Sequence, residues 1–241
     1  MKISVIIPAY NEEKLLPEAL RGVWQALPAF TARGWETEVV VCDNNSTDQT
    51  AQLAQAAGAR VVFEPFNQIA RARNTGARAA TGEWLVFMDA DSTPTAALFA
   101  EVAEVIGNGG FLAGGVTLRL QGPYRVATRI ARVWNGISRA CKLMAGSFVF
   151  VESQAFWAVG GFNQELFVSE EIDLSQRLKR LGRQQKRKLV ILHRHPLLTS
   201  ARKIHLYTPR EHLRFWLRTL FTFKRNLRRR EECQTWYDGR R

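Results

Sequence analysis

Two carboxylates one residue apart, Asp89 and Asp91, close an uninterrupted apolar run, Trp84-Leu85-Val86-Phe87-Met88. Like charges held that close are costly unless a cation joins them, and an all-oxygen pair suits a hard divalent ion such as Mg²⁺ or Mn²⁺. Taken alone, an Asp-x-Asp is usually a turn or a helix cap. A second acidic group, Glu170-Glu171-Ile172-Asp173, follows Ser169 at an expected helix start, where acids also serve simply to complement the macrodipole. Asp43-Asn44-Asn45-Ser46-Thr47-Asp48 is a third polar cluster; turn chemistry, with Thr47 or Asp48 as an N-cap, explains it as readily as ligand binding does. His193 and His195 are spaced to face one side of a strand end, but surface hydrogen bonding explains such a pair equally well, and neither is assigned to a metal.

The elements around these residues place them together. Continuous hydrophobicity before Asp89 marks a strand covered on both faces, and open α/β sheets bind ligands at the carboxyl ends of such strands. Further strands are expected over 2–8, 38–42, 59–63, 111–120, 145–151 and 189–192. Helices are expected from about Pro17, up to Gly58, and over 69–76, 95–106, 124–142, 153–159 and 169–182. Strand and helix alternate through the first half, which predicts right-handed crossovers and an α/β fold with a mainly parallel central sheet flanked by helices. Neither Gly-x-Gly-x-x-Gly nor Gly-Lys-Ser/Thr follows the first strand, which ends Pro8-Ala9-Tyr10-Asn11, so dinucleotide and P-loop sites are disfavoured.

The 241 residues, 46% of them hydrophobic, suffice for one large α/β domain with an appendage. The formal charge of +12 is unevenly distributed: residues 1–175 carry 14 Lys and Arg against 18 Asp and Glu, residues 176–241 carry 20 against 4. Three scattered cysteines, Cys42, Cys141 and Cys233, and no leader-like start predict a reducing compartment, and no window reaches the ~18 apolar residues of a spanning helix. The expected location is therefore cytoplasmic. Leu213, Trp216, Leu217, Leu220, Phe221, Phe223 and Leu227 share one arc of a helical wheel, with Arg214, Arg218 and Arg225 beside it. Such a stripe either lies on an anionic membrane surface or docks on the chain's own body.

Five motifs in order resemble the family-2 glycosyltransferases: Val5-Ile6-Ile7-Pro8-Ala9-Tyr10-Asn11-Glu12-Glu13; Asp43 to Asp48; Ala72-Arg73-Asn74 before Gly76; Gly82-Glu83-Trp84 leading into Asp89-Ala90-Asp91; and Gly160-Gly161-Phe162 followed by Glu170-Glu171-Ile172-Asp173-Leu174-Ser175. The resemblance spans roughly residues 2–195. It implies a single A-type glycosyltransferase (nucleotide-diphospho-sugar transferase) domain over 1–205, with a nucleotide-sugar half (1–92) and an acceptor half (93–205), followed by a basic helical tail (206–241). It also implies an inverting, metal-dependent transfer from a nucleoside diphosphate sugar to an acceptor hydroxyl on a carbohydrate or lipid-linked carrier, with no nucleic acid as partner. On this resemblance Pro8, Tyr10, Glu12, Asp43, Asn44, Arg73 and Asp89 bind substrate. Tyr10 would stack on the base, Asp43 or Asn44 would read its edge, and Arg73 would reach diphosphate oxygens. Asp91 would hold Mn²⁺ or Mg²⁺, with Asp89 directly or through water, and Glu171 would be the catalytic base. Many relatives carry Asp-Asp where this chain has Asp43-Asn44. The family base is usually an aspartate after a glutamate, whereas here two glutamates stand together, so either Glu170 or Glu171 could take the proton. Acceptor contacts are expected around 144–147 and 157–162. Two other classes compete: a sugar nucleotidyltransferase, which would want a glycine-rich basic loop after the first strand, and a polyanion-binding module built on the tail.

Overall fold

The computed structural model describes residues 1–122, 125–200 and 225–228. In chain order these form β1 (Lys2–Ala9), α1 (Leu16–Ala26), α2 (Pro28–Thr31), β2 (Glu36–Asp43), α3 (Thr50–Ala56), β3 (Arg60–Phe63), α4 (Ile69–Ala79), β4 (Trp84–Met88), β5 (Ser92–Thr93), α5 (Ala96–Gly107), β6 (Phe111–Leu120), α6 (Arg125–Cys141), β7 (Phe148–Glu152), α7 (Ser153–Ala158), α8 (Glu170–Gln185) and β8 (Lys188–Thr199), with a 3-10 turn at Arg225–Arg228. One sheet joins the strands in the order β3-β2-β1-β4-β7-β6-β8-β5. β1, β2, β3 and β4 are parallel, β7 runs antiparallel between β4 and β6, β8 lies parallel to β6, and β5 pairs antiparallel at the end of β8. The sheet is mainly parallel, as expected.

Side chains alternate across the pleat, so each central strand feeds two cores. Ile3, Val5, Ile7, Val39, Val41, Trp84, Val86, Met88, Phe148 and Phe150 meet α1, α2 and α5 on one face. Ile6, Val40, Leu85, Phe87, Val149 and Val151 meet α4, α7 and α8 on the other. Every residue of β4 is buried, which is why its sequence is apolar without interruption.

Connections from β1 lead to β2 on one side, whereas β3 returns through α4 to β4 on the other. The boundary between β1 and β4 is thus a topological switch point, where a ligand crevice forms at the carboxyl edge. Pairing of β1 with β2 continues to Ala9↔Asp43, but pairing with β4 ends at Ile6↔Phe87. Pro8, two residues on, has no N–H to extend that ladder.

The structure extends one expected strand, adds a short one, and leaves most of the expected tail helix outside the described residues. The strand expected over 189–192 runs on to Thr199 because its register steps from Val116↔Leu192 to Leu118↔Leu197. Residues 193–196 therefore bulge out of the β6 ladder, with His193 and His195 exposed on the bulge. The short strand β5 forms directly after the Asp89-Ala90-Asp91 turn. Most of the tail helix expected around 213–227 lies outside the described residues; within them Arg225–Arg228 is a 3-10 turn. There Leu227 is buried against Leu166, Phe167 and Val168, and its carbonyl accepts from Phe167 N at 2.7 Å. Among the described residues, no helix is long and apolar enough to cross a membrane.

Candidate active site

Adjacent carboxyl ends of β2, β1 and β4 bring the first and central motifs to one edge. The loop after β1 is stitched to the loop after β2: Asn11 N donates to Ser46 Oγ (2.9 Å), Thr47 N to Asn11 Oδ1 (2.8 Å), Glu12 N to Thr50 Oγ1 (2.8 Å) and Glu13 N to Asp48 Oδ2 (3.1 Å). Asp48 also accepts from Thr50 N at 3.0 Å, although the residue before the first turn of α3 is Gln49. Much of the 43–48 cluster therefore does structural work, and it fixes where Tyr10 and Asp43 stand. Tyr10 is half-buried; Pro8, Glu12 and Asp43 are buried. Asp43 Oδ1 accepts from Ser46 N at 3.3 Å.

Asn44 has a different position from the one a base-reading side chain needs. Its Nδ2 donates to the carbonyls of Glu64 (3.1 Å) and Phe66 (2.7 Å), and its Oδ1 accepts from Gln68 N (3.0 Å). Both amide hydrogens are spent on the loop before α4, so of the two expected base readers Asp43 keeps the better claim.

Arg73 also departs from expectation. Its guanidinium is buried at 1% exposure and faces protein carboxylates: Nη1 lies 2.5 Å from Glu170 Oε1, Nη2 lies 2.9 Å from Asp89 Oδ1, and Nη2 donates to the Gly146 carbonyl at 2.9 Å. Its face rests 5.1 Å from the centre of the Phe162 ring. Phe162 is fixed in turn by Asn74, whose amide exchanges hydrogen bonds with its carbonyl and N–H at 2.8 and 2.9 Å. The glycine before it sits at φ +68°, where an added Cβ would stand 2.8 Å from Asn74 Oδ1. Gly160-Gly161-Phe162 is thus a support for Arg73, and Arg73 is a clamp between the end of β4 and the start of α8.

Glu171 lies beside this clamp: a Cβ built on Gly146 would stand 3.4 Å from its carboxyl carbon and 3.3 Å from Arg73 Nη2. Burial, then the neighbouring Glu170 charge, pushes the Glu171 carboxyl up to about 8. Burial likewise raises Glu170, against the opposing pull of Arg73. Burial would lower the Arg73 guanidinium, but Asp89, Glu170 and Glu171 together raise it. One cation thus faces three acids, an excess of negative charge that a proton or a further cation would relieve.

Asp91 lies two residues past Asp89 of the clamp, its carbonyl accepting from Ser200 N at 3.1 Å and its Oδ1 lying 3.4 Å from Ser92 Oγ. Among the described residues, no three His, Cys, Asp or Glu side chains converge as a ready-made cation site. The residues present still fit a hard divalent ion, which commonly takes one or two carboxylates and completes its shell with substrate phosphates and water. Asp91 and Asp89 would supply such a donor set. Trp157, Gly160 and Phe162, from the stretch where acceptor contacts were expected, line an open cleft of about 380 Å³ with Asn74, Arg78 and Arg177.

Gln68 and Gly146 carry no signal that the motifs could have flagged. Gln68 Nε2 donates to the carbonyls of Gln164 (2.8 Å) and Leu166 (2.9 Å), tying the loop before α8 to α4. Gly146 acts through its carbonyl, which any residue type possesses.

A profile of glycosyl transferase family 2 matches residues 4–159. The chain belongs to this family. An uncharacterized glycosyltransferase of Mycobacterium bovis is 36% identical over 113 residues, 47% of this chain and 47% of that protein, so the chain spans about half the length of that relative. A dolichol-phosphate mannosyltransferase of Pyrococcus furiosus is 33% identical over 123 residues, 48% of this chain and 33% of that protein. In fold, the family 2 chain is similar to the mannosyltransferase PcManGT of Pyrobaculum calidifontis, solved with GDP-Man and Mn²⁺: TM-score 0.68, 20% identity, 88% of this chain and 59% of the other.

Proposed function

We propose that this family 2 chain transfers a glycosyl group from a nucleoside diphosphate sugar to an acceptor hydroxyl in a single inverting displacement. The observation that carries the reading is the Arg73 clamp, which holds a strand-end carboxylate beside a helix-start carboxylate pair at the switch point of the sheet. Tyr10 and Asp43 offer a stacking face and a hydrogen-bond acceptor for a nucleobase at the ends of β1 and β2. Asp91, with Asp89, would hold Mn²⁺ or Mg²⁺. That ion, when bound, neutralises charge on the departing diphosphate.

Glu170 is committed to Arg73 and buried, whereas Glu171 is partly open and stands free of that ion pair. Its carboxyl, raised to about 8, is tuned near neutral operating pH, where a general base is most effective. Glu171 accepts the acceptor hydroxyl proton as the oxygen attacks the anomeric carbon; Arg73 positions it by fixing Glu170 and the Gly146 carbonyl. Similarity to a dolichol-phosphate mannosyltransferase supports a lipid-linked acceptor, and the GDP-Man complex of PcManGT supports a nucleotide-sugar donor. Measuring nucleotide release from UDP- and GDP-sugars, with and without Mn²⁺, tests the reading. Release from at least one donor that requires the cation is expected; no release from any donor in the presence of acceptor lipids and sugars would overturn it.

A further inference from the structure

Helix α6 turns apolar side chains outward. Ile130 is 66% exposed, Val133 65% and Ile137 46%. Spaced at i, i+3 and i+7, they form one stripe along the helix. Arg129, Arg132 and Arg139 are exposed on the same outward half, and Lys142 is exposed just past its end. Among the described residues none of these four cations pairs with a carboxylate, and the sequence has no Asp or Glu between Glu104 and Glu152. The inward half is firmly seated. Asn135 exchanges hydrogen bonds with the N–H and carbonyl of Leu118 at 3.0 and 2.9 Å, and Ser138 Oγ donates to the Leu143 carbonyl at 2.5 Å.

We infer that α6 seats this chain on an anionic lipid surface, the Ile130, Val133 and Ile137 stripe entering the acyl boundary while Arg129, Arg132, Arg139 and Lys142 meet lipid phosphates. Charge selects this occupant. A second copy would bring arginines against arginines. The chain's own tail is itself strongly basic, and its one described piece, Arg225–Arg228, sits elsewhere, with Leu227 on Leu166, Phe167 and Val168 and Arg228 3.3 Å from Glu165. A nucleic acid would take the arginines and leave the aliphatic stripe in water. An anionic bilayer satisfies both halves of the face. The placement has a consequence for the site: the chain leaves α6 and reaches Gly146, whose carbonyl holds Arg73, five residues later. A helix lying in the headgroup layer brings that crevice close to the membrane plane, where a lipid-linked acceptor would present its sugar.

The test uses the full chain carrying Cys141→Ser, Cys233→Ser and Val133→Cys, labelled with an environment-sensitive fluorophore; Cys42 is buried, with its thiol pushed up to about 12, and does not compete. A blue shift with phosphatidylglycerol vesicles, absent with phosphatidylcholine vesicles and weakened by salt, is expected. Replacing Ile130, Val133 and Ile137 together by Asn, or Arg129 and Arg132 by Glu, should weaken vesicle binding by about a hundredfold or more, because apolar burial and phosphate contacts each contribute at the interface. Unchanged emission while the protein still pellets with vesicles would assign binding to another segment and overturn the inference. So would a shift without lipid that grows with protein concentration, which would mark a second copy. Nucleotide release is measured separately without vesicles, so its failure bears on the proposed activity and leaves the lipid result to stand alone.

Discussion

Arg73 and Glu170 form a buried ion pair at 2.5 Å across 97 residues of sequence, and the same guanidinium holds Asp89 at 2.9 Å. The clamp couples the carboxyl end of β4 to the helix that carries the proposed base. Removing the arginine strands two carboxylates in a low-dielectric setting. Arg73→Ala is expected to cost about 3–5 kcal/mol at neutral pH, measured by urea denaturation, with a smaller cost at low pH where the acids protonate. A cost below about 1 kcal/mol would mean that solvent already screens the pair.

The two glutamates separate by experiment. Glu171→Gln should lower kcat by about 10²- to 10⁴-fold with little change in donor KM, as expected for loss of a general base. Glu170→Gln keeps a hydrogen-bond acceptor for Arg73, so it should lower stability more than turnover. The reverse ranking would move the base to Glu170.

Stability should depend on pH in a window set by these acids. Both carboxyls are raised in the folded chain, Glu171 to about 8, so the native state binds protons that the unfolded state has released. Their contribution is greatest below the unfolded value of 4.5 and is lost as pH climbs towards about 8. Glu38 and Asp48 are lowered, chiefly because hydrogen bonds from Ser4 and Thr81, and from Thr50 and Glu13, outweigh burial; their contributions fade only at acid pH. Urea midpoints in EDTA should therefore fall between pH 5 and pH 8, and Glu171→Gln should flatten the slope. A slope unchanged in that variant would show that Glu171 does not titrate in this range.

Asp89 and Asp91 should differ in what their loss does. Calorimetry with Mn²⁺ and UDP or GDP should detect cation uptake that Asp91→Ala abolishes while leaving the thermal midpoint near its original value. Asp89→Ala should weaken uptake and also lower the midpoint, because it releases one arm of Arg73. Equal effects of the two changes on both readouts would count against this division of labour.

Gly161→Ala tests the support beneath Arg73. The left-handed backbone costs an alanine about 1–2 kcal/mol, and its Cβ would press on Asn74 Oδ1. A lowered thermal midpoint together with reduced kcat is expected, since Asn74 holds Phe162 and Phe162 holds the guanidinium. Loss of stability without loss of turnover would uncouple the turn from the clamp.

The sheet edge that carries Asp89 was legible because β4 is apolar on both faces and ends in Asp89, and because strand and helix alternate up to that point. Other parts were not. Nothing in Arg71-Ala72-Arg73 tells which arginine is buried; the answer depends on where Gly146, Phe162 and Glu170 fold back. The apolar run of β7 has no feature that fixes its direction, so its antiparallel insertion comes from tertiary pairing. Asn44 looked like a ligand contact because its backbone partners lie 20 and 22 residues away. The helix over 124–142 was expected, but nothing in the sequence reading said which half of α6 faces the sheet.

Leu227 packs against Leu166, Phe167 and Val168, immediately ahead of Ser169 and Glu170. The far end of the chain thus acts as a wedge behind the acids. Shortening the protein before this residue would uncover an apolar step next to Glu170, so a trimmed variant that fails to turn over substrate would report a loosened helix start and say nothing of the lipid contact inferred for α6.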